Sequence, residues 1–181
     1  MKPQNLFSYM YITGYLLYRE KRKETKMGKI FNIDGDLVKG READVFCHQC
    51  NCFGRMGAGI AKQIAKTYPV VEQADKDNLR KKGAYGQFGT ILPVDCGDGR
   101  ICVNMYSQFG FGKGLQTDYE KFDSCLQKLG CYLKNYPEKT VGFPYMIGCG
   151  LAGGDWNVIG EKLRAFAEKI PNDVYIVRWK A

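Results

Sequence analysis

From Met27 onward, short apolar runs rich in β-branched and aromatic residues alternate with longer stretches whose apolar residues return every three or four positions. The first kind predicts strands at Ile30 to Ile33, Asp44 to Cys50, Gly89 to Val94, Arg100 to Met105, Thr140 to Phe143 and Val174 to Arg178. The second predicts helices. Phe122, Leu126, Leu129 and Leu133 share one helical face behind a capping box from Thr117 to Glu120. Trp156, Ile159, Leu163, Phe166 and Ile170 form another such face behind Asp155, a good N-cap. Ile60, Ile64 and Tyr68 mark a third helix that Pro69 stops, and Val70 to Lys82 a fourth, more charged one that Gly83 closes. Strands and helices in this alternation predict a sheet covered by helices on both faces.

The length of 181 residues, 45% hydrophobic and 25% charged, suits one compact domain and excludes a disordered chain. No run of about 18 apolar residues occurs, so no membrane partner is expected. The formal charge of +8 invites a nucleic-acid reading, but half of it lies in residues 1–26, where six Lys/Arg face two Asp/Glu. The rest is spread without a basic stripe, which is weak support for a phosphate-backbone binder, and Arg80, Lys81 and Lys82 read as a solvated helix end. Residues 1–26 are Tyr-rich and then highly charged, and Met27 restarts the pattern, so the expected organisation is an N-terminal extension or leader over 1–26 and one domain over 27–181. The apolar segment Leu6 to Tyr18 has its charges after it rather than before it and lacks a cleavage site, unlike a signal peptide. Eight cysteines without a secretory signal suggest a reducing cytoplasm with most thiols free and packed as small hydrophobes.

Two segments carry chemistry. Cys47 to Ala61 (CHQCNCFGRMGAGIA) and Phe143 to Trp156 (FPYMIGCGLAGGDW) each run from a predicted strand through a glycine-rich turn into a helix. In α/β folds ligands bind beyond the carboxyl ends of strands, where glycine lets the backbone approach a phosphate and helix N-termini aim N–H groups at it. Two such turns can hold a diphosphate between them, although either one alone also reads as a helix connection that needs a positive φ.

Together, and in this order, they make the chain resemble the macrodomain family, whose members bind ADP-ribose. The resemblance covers about Lys29 to Trp179. His48 to Pro69 (HQCNCFGRMGAGIAKQIAKTYP) looks like the ADP-ribose 1''-phosphate phosphatase type, and Gly148 to Trp156 (GCGLAGGDW) is similar to the terminal ADP-ribose protein glycohydrolase branch. It implies a three-layer α/β/α sandwich with a central mixed sheet. It further implies that Asp36 accepts a hydrogen bond from the adenine amine, and that the Asn51 amide holds the distal ribose. Gly57, Ala58, Gly59 and Ile60 would line the diphosphate and distal ribose with backbone N–H groups, and Gly148, Cys149, Gly150, Leu151 and Ala152 would close from the other side. Arg178 or Trp179 would cover the adenine face.

The sequence departs from each marked hydrolase branch. Where glycohydrolases similar to the second segment have a nucleophilic lysine and an aspartate, this chain has Tyr106-Ser107-Gln108 and Ala152; Lys113 lies beyond a Gly-rich stretch. A covalent lysine mechanism is therefore not expected. His48, the single histidine, stands on the strand leading to Asn51, as in the phosphatase type. Two readings are open: a catalytic acid or base near neutral pH, or a neutral hydrogen-bonded core residue. Asp155 is a candidate acidic partner, though its cap role already explains it. Cys47, Cys50 and Cys52 beside His48 imitate metal spacing, but strand alternation sends Cys47 and Cys50 to opposite faces and no second ligand pair follows, so neither metal nor cofactor is expected. The expected function is a cytoplasmic domain that binds ADP-ribose or a derivative and hydrolyses a distal group, first of all phosphate from ADP-ribose 1''-phosphate. The alternatives are a hydrolase acting on ADP-ribosylated protein or nucleic acid, and a module that reads ADP-ribose without turnover.

Overall fold

The computed structural model describes residues 27–180; the expected extension over 1–26 lies outside the described residues. Six strands and four helices follow in the order β1 (Ile30–Gly35), β2 (Val45–Gln49), α1 (Gly59–Thr67), α2 (Pro69–Gln87), β3 (Ile91–Asp95), β4 (Ile101–Met105), α3 (Tyr119–Leu133), β5 (Val141–Pro144), α4 (Trp156–Ala167) and β6 (Val174–Trp179). The strands form one sheet in the order β1-β6-β5-β2-β4-β3. Every pairing is parallel except that of β3 with β4, so the sheet is mixed, as expected.

Successive side chains on a strand point to opposite faces, and β2 shows how this builds two cores. Val45 and Cys47 pack with Phe122, Leu129, Leu163 and Phe166 from α3 and α4. Phe46 packs on the other face with Ile64 of α1 and Val71 of α2. Burying large apolar side chains on both faces stabilises the sandwich, each by about 1.5–3 kcal/mol.

Two helix boundaries differ from the sequence reading. The N-cap of α3 is Asp118, which accepts from the Lys121 amide, rather than Thr117. The Thr117 hydroxyl instead donates to the Gly148 carbonyl at 2.6 Å. At Gly83, where the fourth helix was expected to close, φ is +70° and the chain kinks, yet α2 resumes to Gln87. Pro69 stops α1 as expected, and itself takes the first position of α2. Among the described residues no helix is long and apolar enough to cross a membrane, and all eight cysteines are free.

Candidate ligand-binding cleft

Beyond the carboxyl ends of the adjacent parallel strands β2 and β5, a cleft of about 840 Å³ opens. The turn after β2 is shaped by Asn51. Its Oδ1 accepts from the amides of Phe53 and Arg55, and its Nδ2 donates to the Arg55 carbonyl at 2.7 Å. The chain then reaches α1 through Gly57, Ala58 and Gly59, all exposed. Ala58 holds the N-cap position and offers no side-chain acceptor, and the first turn of α1 has no acidic residue. A helix start leaves its leading N–H groups without intrahelical partners. Here they remain free for a ligand, at the positive end of the helix dipole.

The opposite wall is the turn after β5. Gly148 has φ +71°, and a Cβ there would lie 2.6 Å from Gln49 Oε1, so no larger residue fits without displacement. The turn is closed by the Gly154 amide on the Gly148 carbonyl and the Gly153 amide on the Gly150 carbonyl. The two walls nearly meet: Leu151 Cδ1 would be 3.7 Å from a Cβ at Gly59.

A side-chain network fixes the walls to each other. Gln49 Nε2 donates to Thr117 Oγ1 at 2.9 Å and Gln108 Oε1 at 3.1 Å, and Ser107 Oγ donates to Gln49 Oε1 at 3.0 Å. Through Thr117 the network reaches the Gly148 carbonyl, so hydrogen bonds tie the ends of β2 and β4, the start of α3 and the second turn to one another.

Of the expected ligand-binding residues, Asn51, Gly57, Ala58, Gly59, Ile60, Gly148, Gly150, Leu151 and Ala152 all line the cleft. Cys149 does not: it packs half-buried against the α3/α4 core, its thiol toward the Ile147 carbonyl. Asp36 lies outside the lining, in the turn after β1, where its Oδ1 accepts from the Val38 and Lys39 amides at 3.0 Å. The Arg178 guanidinium stacks over the Tyr145 ring at 4.5 Å, and Trp179 is exposed at the end of β6.

The two candidate catalytic residues are not at the cleft. His48 is wholly buried on the sheet face opposite Cys47, paired in register with Asn104, whose Oδ1 lies 2.8 Å from His48 Nε2. Burial lowers its pKa to about 4, so the ring is neutral at physiological pH. The structure places it in the core, the second of the two readings the sequence left open. Asp155 is exposed and caps α4 through the Asn157 amide at 2.8 Å, and it is absent from the cleft lining.

Arg55, Phe111 and Asp75 are among the cleft residues that were not expected there, and Lys113, set aside above, also lines the cleft. Arg55 lies over the Phe111 ring at 5.3 Å, and Phe111 and Lys113 come from the Gly-rich stretch after β4, which folds back onto the cleft. That stretch is tied down by Gln108 Nε2 on the Gly110 carbonyl and by the Gln116 amide on the Ala152 carbonyl. Asp75 of α2 is the single carboxyl in the lining among the described residues.

Residues 47–161 match the family model of the Macro domain, and the chain belongs to that family. Among individual relatives, ADP-ribose 1''-phosphate phosphatase of Saccharomyces cerevisiae (strain YJM789) is 32% identical over 161 residues, covering 85% of this chain and 89% of the relative. A 17.5 kDa protein from the tk-vs intergenic region of Enterobacteria phage T4 is 29% identical over 154 residues, covering 82% of this chain and 95% of the phage protein. The solved macrodomain of Mycobacterium tuberculosis DarG shares the fold, with a TM-score of 0.73 at 22% identity over 85% of this chain and 99% of that one.

Proposed function

We propose that the cleft binds ADP-ribose derivatives and that the protein releases phosphate from ADP-ribose 1''-phosphate. The observation that carries this reading is the pair of opposed backbone turns, 57–60 and 148–152, with the uncapped start of α1 between them. Main-chain amides and a helix N-terminus stabilise a diphosphate without any charged side chain. In this reading Asn51 lies at the distal ribose, and the adenine extends toward Tyr145 and the free Oδ2 of Asp36. Arg55 and Lys113, both lining the cleft, supply cations for a terminal phosphate, which favours a phosphorylated distal end over a neutral one. The relative named as a phosphatase, 32% identical over most of both chains, supports the same choice.

Titration calorimetry with ADP-ribose should give one site, weakened in Asp36→Ala. Incubation with ADP-ribose 1''-phosphate, ADP-ribosylated protein and ADP-ribosylated DNA, followed by chromatography for free ADP-ribose, separates the activities. No heat at millimolar ADP-ribose refutes the binding reading; release only from the protein or the DNA refutes the phosphatase.

A further inference from the structure

With His48 in the core and Asp155 at a helix cap, neither expected proton donor lies at the cleft, and one carboxyl in it is built like one. Asp75 is 1% exposed yet lines the cleft. Its Oδ1 accepts a hydrogen bond of 2.7 Å from Tyr106 Oη. Its Oδ2 has no hydrogen-bond partner among the described residues and faces Gly54, 3.9 Å from where a Cβ there would lie. Gly54 belongs to the turn that Asn51 shapes. Oδ2 is not one of the fully buried polar atoms that lack a partner, so it opens on the cleft, where water or a ligand takes its free hydrogen-bonding capacity.

We propose that Asp75 is the general acid of this cleft, giving its proton to the ester oxygen of a distal sugar phosphate. This rests on the reading of the cleft given above. The phosphorus–oxygen bond to C1'' breaks as water adds to phosphorus. The Asp75 proton goes to the departing sugar oxygen, which becomes the hydroxyl of ADP-ribose. The water's excess proton leaves with phosphate to solvent, and solvent then reprotonates Asp75. Atoms and charge balance with water as the only co-reactant.

The surroundings favour a protonated carboxyl. Burial is the largest influence and raises the Asp75 pKa above the ordinary carboxylate range; Glu72 on the same helix raises it further, while the Tyr106 hydrogen bond and Lys76 oppose this. Cys50 and Cys52, from the turn after β2, also face it and are held as neutral thiols by burial. Tyr106 is a positioning residue: it orients the carboxyl without reaching the substrate.

The test measures phosphate release from ADP-ribose 1''-phosphate across pH, with ADP-ribose affinity by calorimetry and thermal melting alongside, for wild type, Asp75→Asn and Tyr106→Phe. General acid catalysis contributes about 100-fold or more, so Asp75→Asn should lose that much turnover while ADP-ribose affinity and melting hold. Tyr106→Phe removes a bond that steadies the charged carboxylate, so the alkaline limb of its kcat/KM profile should move to higher pH; in Asp75→Asn that limb should be gone. Turnover in Asp75→Asn within about threefold of wild type, or an unmoved limb in Tyr106→Phe, overturns the assignment. A wild type that binds ADP-ribose but frees no phosphate also overturns it and leaves the binding reading intact. A wild type that does not bind ADP-ribose removes both.

Discussion

Acidification from pH 7.5 to pH 5 should weaken the fold by about 2 kcal/mol through His48 alone. Its pKa is about 4 in the folded chain, where the ring is buried against Asn104, and returns to the ordinary value near 6.5 when the chain unfolds. Between those values the unfolded state binds more protons, so stability rises with pH through the window and falls as pH drops below about 6.5. Each tenfold difference in proton affinity is worth about 1.4 kcal/mol; nearly one and a half such factors are expressed at pH 5, and the full effect is about 3 kcal/mol below pH 4. His48 is the chain's single histidine, so its imidazole proton resonance needs no assignment, and NMR titration reads the folded pKa directly. Urea unfolding at both pH values, for wild type and His48→Gln, isolates the linkage from that of carboxylates such as Asp44, which Thr140 hydrogen bonds hold low against its own burial. The slope difference between the two proteins should be about 2 kcal/mol over that range. A titration midpoint near 6.5, or identical pH dependence in the two proteins, would refute the burial argument and return the ring to solvent and to catalysis.

Asp155→Ala should cost about 1 kcal/mol, a fall of about 2–4 °C in Tm by calorimetry, because α4 loses its cap, while phosphate release stays unchanged; lost turnover would mean that the exposed carboxylate reaches the substrate. Ala58→Asp gives α1 the cap it lacks, so the fold should gain about 0.5–1 kcal/mol in urea unfolding while ADP-ribose affinity drops at least about tenfold. Undiminished affinity would show that the α1 amides do not meet the diphosphate.

The strands were legible because each is short and β-branched, and both glycine turns because their residues admit few other conformations. Failures came where distant pairing decides. Thr117 has a capping residue's chemistry, but its hydroxyl is drawn to the Gly148 carbonyl, 31 positions away, and Asp118 caps instead. His48 sits three residues before Asn51, and only register against Asn104 reveals that it faces the core. Asp75 was hidden in a helix read only as more charged than the others. A signal did exist: Val71, Asp75 and Asn78 fall at i, i+4 and i+7, all buried, so a carboxyl occupies the helix stripe that packs inward. The stretch holding Phe111 and Lys113 carries no periodicity, and its return to the cleft depends on hydrogen bonds to Gly110 and Ala152 that no local pattern encodes.

The cleft therefore separates two kinds of constraint. The proposed diphosphate grip depends on backbone: a left-handed Gly148 that leaves no room for a Cβ, and a helix start at Ala58 that has no side-chain cap. Filling that helix start would favour the fold and disfavour the ligand, so the missing cap is a stability cost that binding offsets. The distal end depends on side chains gathered from separate elements: Asp75 from α2, Tyr106 after β4, and Arg55 and Lys113 from two turns. In the proposed reading, changing any one of these should alter the chemistry without altering the grip. On the same reading, a chain with Ala152 and Gln108 in these turns keeps the nucleotide in place while Asp75 supplies the proton at its far end.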